Sequence, residues 1–328
     1  MSDNNNIPIT SSQNNLANIS SAKNLLNLRN TALKPLSYAQ RVTSSNPCAF
    51  VLLVDQSGSM SEEMEDNKGK TLAKSEHLAM IVNRFLDEIL NTCQKTDGVK
   101  NYFEIVIIGY GQLNEDDESI VTICWEDKLK NNIWVTVDEL KHGALRTDVI
   151  TKPNPNNVGP REIKEPLKIW IEPKAEGLTP MKEAISKCFD ILEDWIRNHP
   201  NSFPPMVFNI TDGQASDVED YNEIIDAAHK LTSAKTEDGN VLFFNCLISD
   251  NSQNLIDFPN LSDRKFFEEN EFELALFEAS SFIPNNLIKL LPKANQSDED
   301  KKGLVLGSID SVIKFLNLGT DTLYNRTK

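Results

Sequence analysis

The sequence predicts an α/β protein built on a doubly wound, mainly parallel sheet that is flanked by helices. Short apolar runs rich in β-branched residues, the first at 49–54, are typical of strands buried on both faces. Between these runs lie longer segments in which apolar residues recur every three or four positions, as in amphipathic helices. Strands separated by helices join through right-handed crossovers, so this alternation favours parallel pairing.

The apolar pattern assigns each element in order. Strands are predicted at residues 49–54, 102–109, 120–125, 133–137, 167–171, 206–210 and 241–248. Helices are predicted at 78–93, from Thr179 and Pro180 to 196, from the capping-box sequence at 216–219 to 231, at 287–291 and at 304–316. The strands at 120–125 and 133–137 are interpreted as an edge hairpin.

The chain is expected to comprise three regions. Residues 1–46 are rich in Asn and Ser and are interpreted as a flexible tail. Residues 47–295 are assigned to the main domain, with an insertion at about 111–165, and residues 296–328 to a charged linker and a C-terminal helix. Apolar residues between 25 and 36 have the spacing of a short helix, which either packs onto the domain or serves as a docking peptide.

Composition narrows the classes of partner. A formal net charge of −16 argues against sequence-independent nucleic-acid binding, which needs a surplus of Lys and Arg, and against docking on anionic lipid. The five cysteines are scattered without a Cys-x-x-Cys pair, so neither a zinc site nor a disulfide framework is indicated. No secretory signal pattern and no apolar run of roughly 18 residues is visible. We therefore expect a cytoplasmic protein without a membrane partner.

Oxygen-bearing side chains follow the first predicted strand directly. Asp55, Ser57 and Ser59 occupy alternate positions in what we call the Asp55 loop, residues 55–59, and the glycine within it permits a tight turn. Thr179, at the start of a predicted helix, and Asp212, after a predicted strand, carry further oxygens. Ligand sites of open α/β sheets lie at the carboxyl ends of strands, so these side chains are expected to meet there. Hard oxygen ligands favour Mg²⁺ or Mn²⁺.

These residues carry a resemblance to a known family. Asp-x-Ser-x-Ser at 55–59, Thr179 and Asp212 resemble the metal-ion-dependent adhesion site (MIDAS) of von Willebrand factor A (vWA) domains. The wording of the three motifs, LLVDQSGSM, GLTPM and ITDGQ, is similar to that of the cytoplasmic bacterial branch of the TerY and YegL type, which is associated with tellurium resistance. The likeness extends from about residue 48 to residue 283.

The resemblance implies a Rossmann-like fold and a role for each ligand. Ser57, Ser59 and Thr179 would supply hydroxyl oxygens to Mg²⁺ or Mn²⁺, and Asp55 and Asp212 would hold the ion directly or through water. Such a site leaves the ion electrophilic, so that an Asp or Glu of a protein partner can replace a water. The resemblance thus implies a non-catalytic, metal-dependent interaction module or scaffold of a bacterial stress-response or defence complex, with kinase or phosphatase partners.

Two other functions stay open on the sequence. One is an adaptor subunit of an AAA+ ATPase, as in the MoxR-associated and chelatase branches of the same superfamily; the chain has no Gly-x-x-x-x-Gly-Lys-Ser/Thr loop of its own. The other is Mg²⁺-dependent phosphoryl transfer with Asp55 as nucleophile. Such sites usually place a second Asp two residues after the first, where this chain has Ser57. The sequence therefore favours a protein that is not an enzyme.

The remaining polar and aromatic residues receive structural interpretations. Asp217 is expected to be a charge at a helix N-terminus. The four histidines are unclustered, so no imidazole metal site or His-based triad is predicted. The four tryptophans lie at apolar positions and are assigned to the core. Four acidic residues are expected to form a solvated loop or a charged rim around the metal: Glu62, Glu63, Glu65 and Asp66.

Overall fold

The computed structural model describes most of the chain from Tyr38 onward. The described residues are 38–66, 69–153, 162–249, 255–291, 300–308, 310–313, 315–316 and 318–319. The short helix predicted between 25 and 36 lies outside them, as do residues 296–299 of the predicted linker.

The last residues of the predicted tail pack onto the domain. The main-chain nitrogens of Ala39 and Gln40 donate hydrogen bonds to the Asp238 carboxylate, over 2.9 and 3.0 Å, and Val42 is buried. Residues 39–42 therefore contact the domain, although they precede the predicted boundary at residue 47.

Sixteen strands are present among the described residues. They are β1 Cys48–Asp55, β2 Glu63–Glu65, β3 Thr71–Ala73, β4 Gln94–Lys95, β5 Gly98–Val99, β6 Phe103–Leu113, β7 Ser119–Ile123, β8 Val135–Thr136, β9 Arg146–Pro153, β10 Glu162–Ile169, β11 Met206–Thr211, β12 Lys235–Thr236, β13 Gly239–Asn240, β14 Leu242–Ile248, β15 Ile256–Asp257 and β16 Leu304–Gly307.

Six α-helices have complete bounds in the described part of the chain. They are α1 Lys74–Cys93, α2 Val137–His142, α3 Met181–Asn198, α4 Asn222–Ser233, α5 Glu271–Ala279 and α6 Asn285–Ile288. Short 3₁₀ helices occur at Gly58–Ser61, Asp127–Leu129 and Leu261–Phe267, and the described residues from 310 to 319 are helical. None of the helices in the described ranges is both long enough and apolar enough to cross a membrane.

The main sheet has eight strands and is parallel at its centre. Seven of its strands follow the order β15-β16-β14-β11-β1-β6-β7, and β8 pairs with β6 beside this path. The five central strands from β16 to β6 run parallel, whereas β15, β7 and β8 pair antiparallel with their neighbours. The structure confirms the predicted α/β fold with a doubly wound, mainly parallel sheet.

Both faces of the sheet are covered by helices. Alternate side chains of β1 enter opposite apolar layers: Phe50, Leu52 and Val54 join α1, α2 and the C-terminal helical residues, whereas Val51 and Leu53 join α3, α4 and α5. All eight residues of β1 are buried, which explains why the strand is apolar from Cys48 to Val54. The five cysteines are buried. Of the four tryptophans assigned to the core, Trp125, Trp170 and Trp195 are buried, and Trp134 is half-buried and packs against the core.

The block predicted as an insertion at 111–165 partly belongs to the main sheet. β7 and β8 each pair with β6 rather than with one another, so the predicted edge hairpin is wrong. β9 and β10 form a separate antiparallel hairpin. Asn83 of α1 anchors the chain after β10, because its Oδ1 accepts from Trp170 N over 2.8 Å and its Nδ2 donates to Ile171 O over 2.9 Å.

The helix predicted at 304–316 is wrong in its first part. Leu304–Gly307 forms β16, which lies inside the main sheet between β14 and β15. All four of its residues are buried, and the described residues from Asp310 onward are helical. A short apolar run can form its backbone hydrogen bonds either to neighbouring strands on both sides or within a buried helix. The sequence of such a run alone does not distinguish the two structures. Lys301 and Lys302 of the predicted linker are buried as well.

The helix predicted from the capping box at 216–219 begins later, at Asn222. Asp217 instead lies at the start of the preceding helix, α3. Its carboxylate accepts hydrogen bonds from Lys182 N over 3.2 Å and from Glu183 N over 2.9 Å. Asp217 is thus a charge at a helix N-terminus, as predicted, but a tertiary contact rather than a local motif places it there.

Candidate metal site

The carboxyl ends of β1 and β11 carry two of the predicted ligands side by side. The two strands pair in parallel, with Val54 opposite Ile210, so Asp55 and Asp212 emerge at the same edge of the sheet. Asp55 is 1% exposed, and the side chain of Asp212 is 0% exposed. Two carboxylates therefore lie buried at the point where strand order predicts a ligand site.

Hydrogen bonds join four of the five predicted ligands into one cluster. Ser57 N donates to Asp55 Oδ1 over 2.9 Å, and the hydroxyl oxygens of Ser57 and Ser59 lie 3.1 Å apart. Ser59 Oγ donates to Asp212 Oδ1 over 2.6 Å, which connects the Asp55 loop to the end of β11. The structure thus brings together side chains that are far apart in the sequence.

Thr179, the fifth predicted ligand, is held at this edge by main-chain hydrogen bonds. Gly58 N of the Asp55 loop donates to Gly177 O over 2.9 Å, two residues before Thr179. Thr179 N donates to Ser216 Oγ over 2.9 Å, and Ser216 N donates to Thr179 O over the same distance. Thr179 is therefore fixed between the Asp55 loop and the segment after β11, and it is 7% exposed.

Two glycines allow the three segments to approach so closely. A Cβ atom on Gly58 would lie 2.6 Å from Glu176 O, so a side chain there would push the Asp55 loop away from the Thr179 segment. Gly111 interrupts the regular pairing of β6 with β7 and has φ +114°. A Cβ atom there would lie 2.6 Å from Ser57 N and 2.7 Å from Leu178 O. The bulge at Gly111 therefore makes room for both site loops.

A buried lysine completes the cluster. Lys74, the first residue of α1, is 5% exposed, and its Nζ donates to Asp212 Oδ2 over 3.0 Å and to Glu62 Oε2 over 2.7 Å. Burial opposes the charge on Lys74, but the hydrogen bonds to Glu62 and Asp212 outweigh it and raise the pKa of the amine. The side chain of Glu62 is 64% exposed, which agrees with either interpretation of the acidic residues there, a solvated loop or a charged rim.

Burial makes the charge on Asp55 costly. Burial raises the pKa of Asp55 from 3.8 to about 6, and the nearby Asp212 carboxylate adds to the rise. Hydrogen bonds from Ser57 and Thr211 act in the opposite direction. The Thr211 hydroxyl donates to Asp55 Oδ2 over 2.5 Å. A cation bound beside these groups would relieve the cost of the buried carboxylate.

The donor set fits a hard divalent cation. In an octahedral Mg²⁺ site with bonds of about 2.1 Å, neighbouring oxygens lie about 3.0 Å apart. The Ser57 and Ser59 hydroxyls are separated by 3.1 Å, and Asp55 and Asp212 supply the negative charge. No group of three or more His, Cys, Asp or Glu side chains in the described part of the chain is arranged to hold a metal ion. The candidate site therefore depends on hydroxyl oxygens beside two carboxylates.

Sequence reasoning missed three contributors to this site. Thr211 lies inside the Thr-Asp-Gly motif, but only the pairing of β11 with β1 reveals that its hydroxyl reaches Asp55. Gly111 follows an apolar run, and a glycine within a strand is itself a signal of a bulge. Lys74 carries no local signal, because its partners lie 12 and 138 residues away in the sequence.

Comparisons with known proteins find similarity only to solved structures. No protein-family model matches the chain, and no curated protein matches it significantly. BatB from Bacteroides thetaiotaomicron is 11% identical, with a TM-score of 0.29 over 64% of this chain and 75% of BatB. An aerotolerance-related membrane protein from Bacteroides fragilis is 10% identical, with a TM-score of 0.30 over 71% of this chain and 86% of that protein.

A third similar structure is the vWF domain of the type V pili tip protein Mfa5 from Porphyromonas gingivalis. It is 11% identical, with a TM-score of 0.25 over 87% of this chain and 86% of that domain. At these identities and TM-scores, no function transfers from the three proteins to this chain. The fold is established by the chain's own sheet order, and the function has to be inferred from the site.

Proposed function

We propose that this protein is a metal-dependent protein-interaction module. Mg²⁺ or Mn²⁺ would be held by Asp55, Ser57, Ser59, Thr179 and Asp212. The ion would supply a Lewis-acidic position that an Asp or Glu side chain of a partner can occupy. The protein's own residues bind and orient the ion, and the proposal includes no catalytic step.

One observation carries this proposal. Four of the five residues chosen from the sequence lie in a single hydrogen-bonded cluster at the carboxyl edge of the sheet. Separately, each is an ordinary turn residue. Together they offer two buried carboxylates and two hydroxyls, which is the type of oxygen set that binds Mg²⁺ without saturating it.

The biological setting in the proposal rests on the motif wording alone. The likeness of the Asp55, Thr179 and Asp212 motifs to the TerY and YegL type supports a cytoplasmic, bacterial stress-response or defence complex. The partner's chemistry, by contrast, follows from the site. An unsaturated hard cation prefers a carboxylate oxygen to a neutral or cationic side chain.

Metal binding is tested by calorimetric titration of Mn²⁺ and Mg²⁺ into EDTA-treated, dialysed protein. Wild type is expected to bind one ion, and Asp55→Ala and Thr179→Ala are expected to lose most of that affinity. Thr232→Ala is the matched control, because the Thr232 hydroxyl, the group that the substitution removes, donates within α4, to Ala228 O over 2.9 Å and to His229 O over 3.3 Å. Equal binding by all four proteins would disprove the assigned ligands.

Carboxylate recognition is tested on an array of peptides that carry a central Asp, with each peptide matched to its Asn counterpart. Wild-type protein with Mn²⁺ is expected to retain Asp peptides and to release their Asn counterparts. The same retention should disappear in EDTA and in Asp55→Ala. Retention that is indifferent to both treatments would place binding at another surface and overturn the proposed function.

A further inference from the structure

Lys74 stands in an unusual position for a cation. It is the first residue of a 20-residue helix, where the helix dipole disfavours positive charge. It is also 5% exposed, although its Nζ carries a charge that burial opposes. The contacts that compensate for this placement are two carboxylates, those of Asp212 and Glu62.

The two partners of Lys74 differ sharply in their surroundings. Asp212 has a side chain that is 0% exposed and bonds Ser59, whereas the side chain of Glu62 is 64% exposed. Glu62 is also fixed to Lys74 through the main chain, because Lys74 N donates to Glu62 O over 2.9 Å. Lys74 is thus shared between a buried carboxylate of the metal site and a surface carboxylate that stays beside it.

We propose that Lys74 is a built-in counter-ion that a divalent cation must displace from Asp212, and that Glu62 retains the ammonium group when this happens. The inference deepens the proposed metal-dependent function and rests on it. In the metal-free protein Lys74 neutralises Asp212, which would otherwise be a buried carboxylate without a cation. The bound ion takes over that role, and the ammonium group keeps its bond to Glu62.

This arrangement sets the affinity of the site through two residues that do not contact the ion. A positive charge beside Asp212 repels the incoming cation, so Lys74 lowers the affinity. Glu62 gives the displaced ammonium a partner, so Glu62 raises the affinity. Because Glu62 acts only through Lys74, the two effects are not additive.

The test is a double-mutant cycle on the Kd for Mn²⁺, measured by calorimetry with the EDTA-treated full chain. Lys74→Met is expected to bind Mn²⁺ roughly tenfold more tightly than wild type, because the competing charge is gone. Glu62→Gln is expected to bind several-fold more weakly. The double variant should match Lys74→Met, since Glu62 has nothing to retain once Lys74 is absent.

Two controls keep the cycle interpretable. Glu63→Gln removes the same charge from the exposed neighbour of Glu62, and it should change the Kd less than Glu62→Gln does. In EDTA, Lys74→Met should unfold at a lower temperature than wild type. Added Mn²⁺ should then raise the unfolding temperature of Lys74→Met by more than it raises that of wild type. Glu62 is exposed, so Glu62→Gln tests the idea even if metal-free Lys74→Met folds poorly.

The outcomes separate this inference from the function on which it rests. Unchanged or weaker Mn²⁺ binding by Lys74→Met, equal effects of Glu62→Gln and Glu63→Gln, or additive effects in the double variant would each overturn the role of Lys74 while leaving the metal site intact. A wild-type protein that binds no Mn²⁺ would overturn both proposals.

Discussion

Thr211 donates its hydroxyl proton to Asp55 Oδ2 over 2.5 Å, across the junction of two neighbouring parallel strands. The same hydroxyl oxygen accepts a hydrogen bond from Gly213 N over 3.2 Å. Thr211 therefore links the buried carboxylate of one strand to the turn that carries Asp212. The ionised form of Asp55 depends on this contact, because the bond from Thr211 lowers a pKa that burial raises.

Thr211→Val is expected to destabilise the metal-free protein more at pH 8 than at pH 5. The variant removes a hydrogen bond to the ionised carboxylate, which costs about 1–3 kcal/mol. At pH 5 Asp55 is mostly protonated, because its pKa is about 6 in the fold. Urea unfolding in EDTA at the two pH values measures the difference. The control is Thr236→Val, at a buried threonine that is remote in sequence from the site motifs, and its loss of stability should be the same at both pH values. An equal loss of stability for Thr211→Val at pH 5 and pH 8 would contradict the prediction.

Asp55→Asn is expected to stabilise the metal-free protein at neutral pH and to abolish stabilisation by Mg²⁺. The folded pKa of Asp55 is raised, so its protonation stabilises the fold below pH 3.8, and this contribution is lost as the pH rises through about 6. A rise of about two units corresponds to about 3 kcal/mol. Asn carries no charge, so the variant should not lose this stability as the pH rises, and Asn has nearly the same size as Asp.

The measurement for Asp55→Asn is urea unfolding in EDTA from pH 4 to pH 8, followed by unfolding at pH 8 with Mg²⁺. The variant should lack the component of the pH dependence that wild type shows between pH 4 and pH 7. A variant that is less stable than wild type in EDTA at pH 8, or one that Mg²⁺ stabilises as much as it stabilises wild type, would contradict the assignment.

Gly111→Ala is expected to destabilise the protein by about 2 kcal/mol or more and to weaken metal binding. The added methyl group would meet Ser57 N and Leu178 O, which belong to the two site loops. Gly98 offers a matched control, because it has the same φ of +114° but nothing within 4 Å of an added Cβ. Gly98→Ala therefore measures the backbone strain alone. Chemical unfolding and Mn²⁺ titration of both variants separate the effect of backbone strain from that of the steric clash with the site loops. Equal Kd values for Mn²⁺ in Gly111→Ala and Gly98→Ala would show that Gly111 does not shape the site.

Asp217→Ala is expected to cost about 1 kcal/mol of stability and to lower the affinity for Mn²⁺. The carboxylate holds the first turn of α3, and Thr179 lies two residues before that helix. Asp220→Ala is the comparison, because Asp220 accepts from Asn222 N at the start of α4. It should lose stability without a change in metal affinity. A normal Mn²⁺ Kd for Asp217→Ala would show that Thr179 is placed without help from the helix start.

The fold, and the convergence of the candidate site residues at one edge of the sheet, were predictable because a local sequence pattern and one spatial rule suffice for both. Apolar runs without alternation identify strands covered on both faces, and the carboxyl ends of such strands share one edge. From the sequence alone, that rule predicts that Asp55 and Asp212 lie at the same edge of the sheet. It needed no information about which strands are neighbours.

The features that escaped prediction depend on tertiary pairing. Asp217 looked like the start of its own helix, because Ser-x-x-Glu has a capping pattern, but the amide groups it binds belong to α3. Lys74 has no signal in the local sequence, because the fold alone places its Nζ 3.0 Å from Asp212 Oδ2. Periodicity reports which side of an element is buried, and it does not report which distant group lies there.

The position of β16 has a consequence for how the chain is synthesised and folds. Leu304–Gly307 lies between β14 and β15, so the sheet stays divided until the ribosome has released this late segment. Until then β14 exposes a hydrophobic edge, and β15 lacks the neighbour that ties it to the sheet. We expect nascent chains that end before residue 304 to be bound by chaperones and cleaved by proteases. Chains released beyond it should resist both.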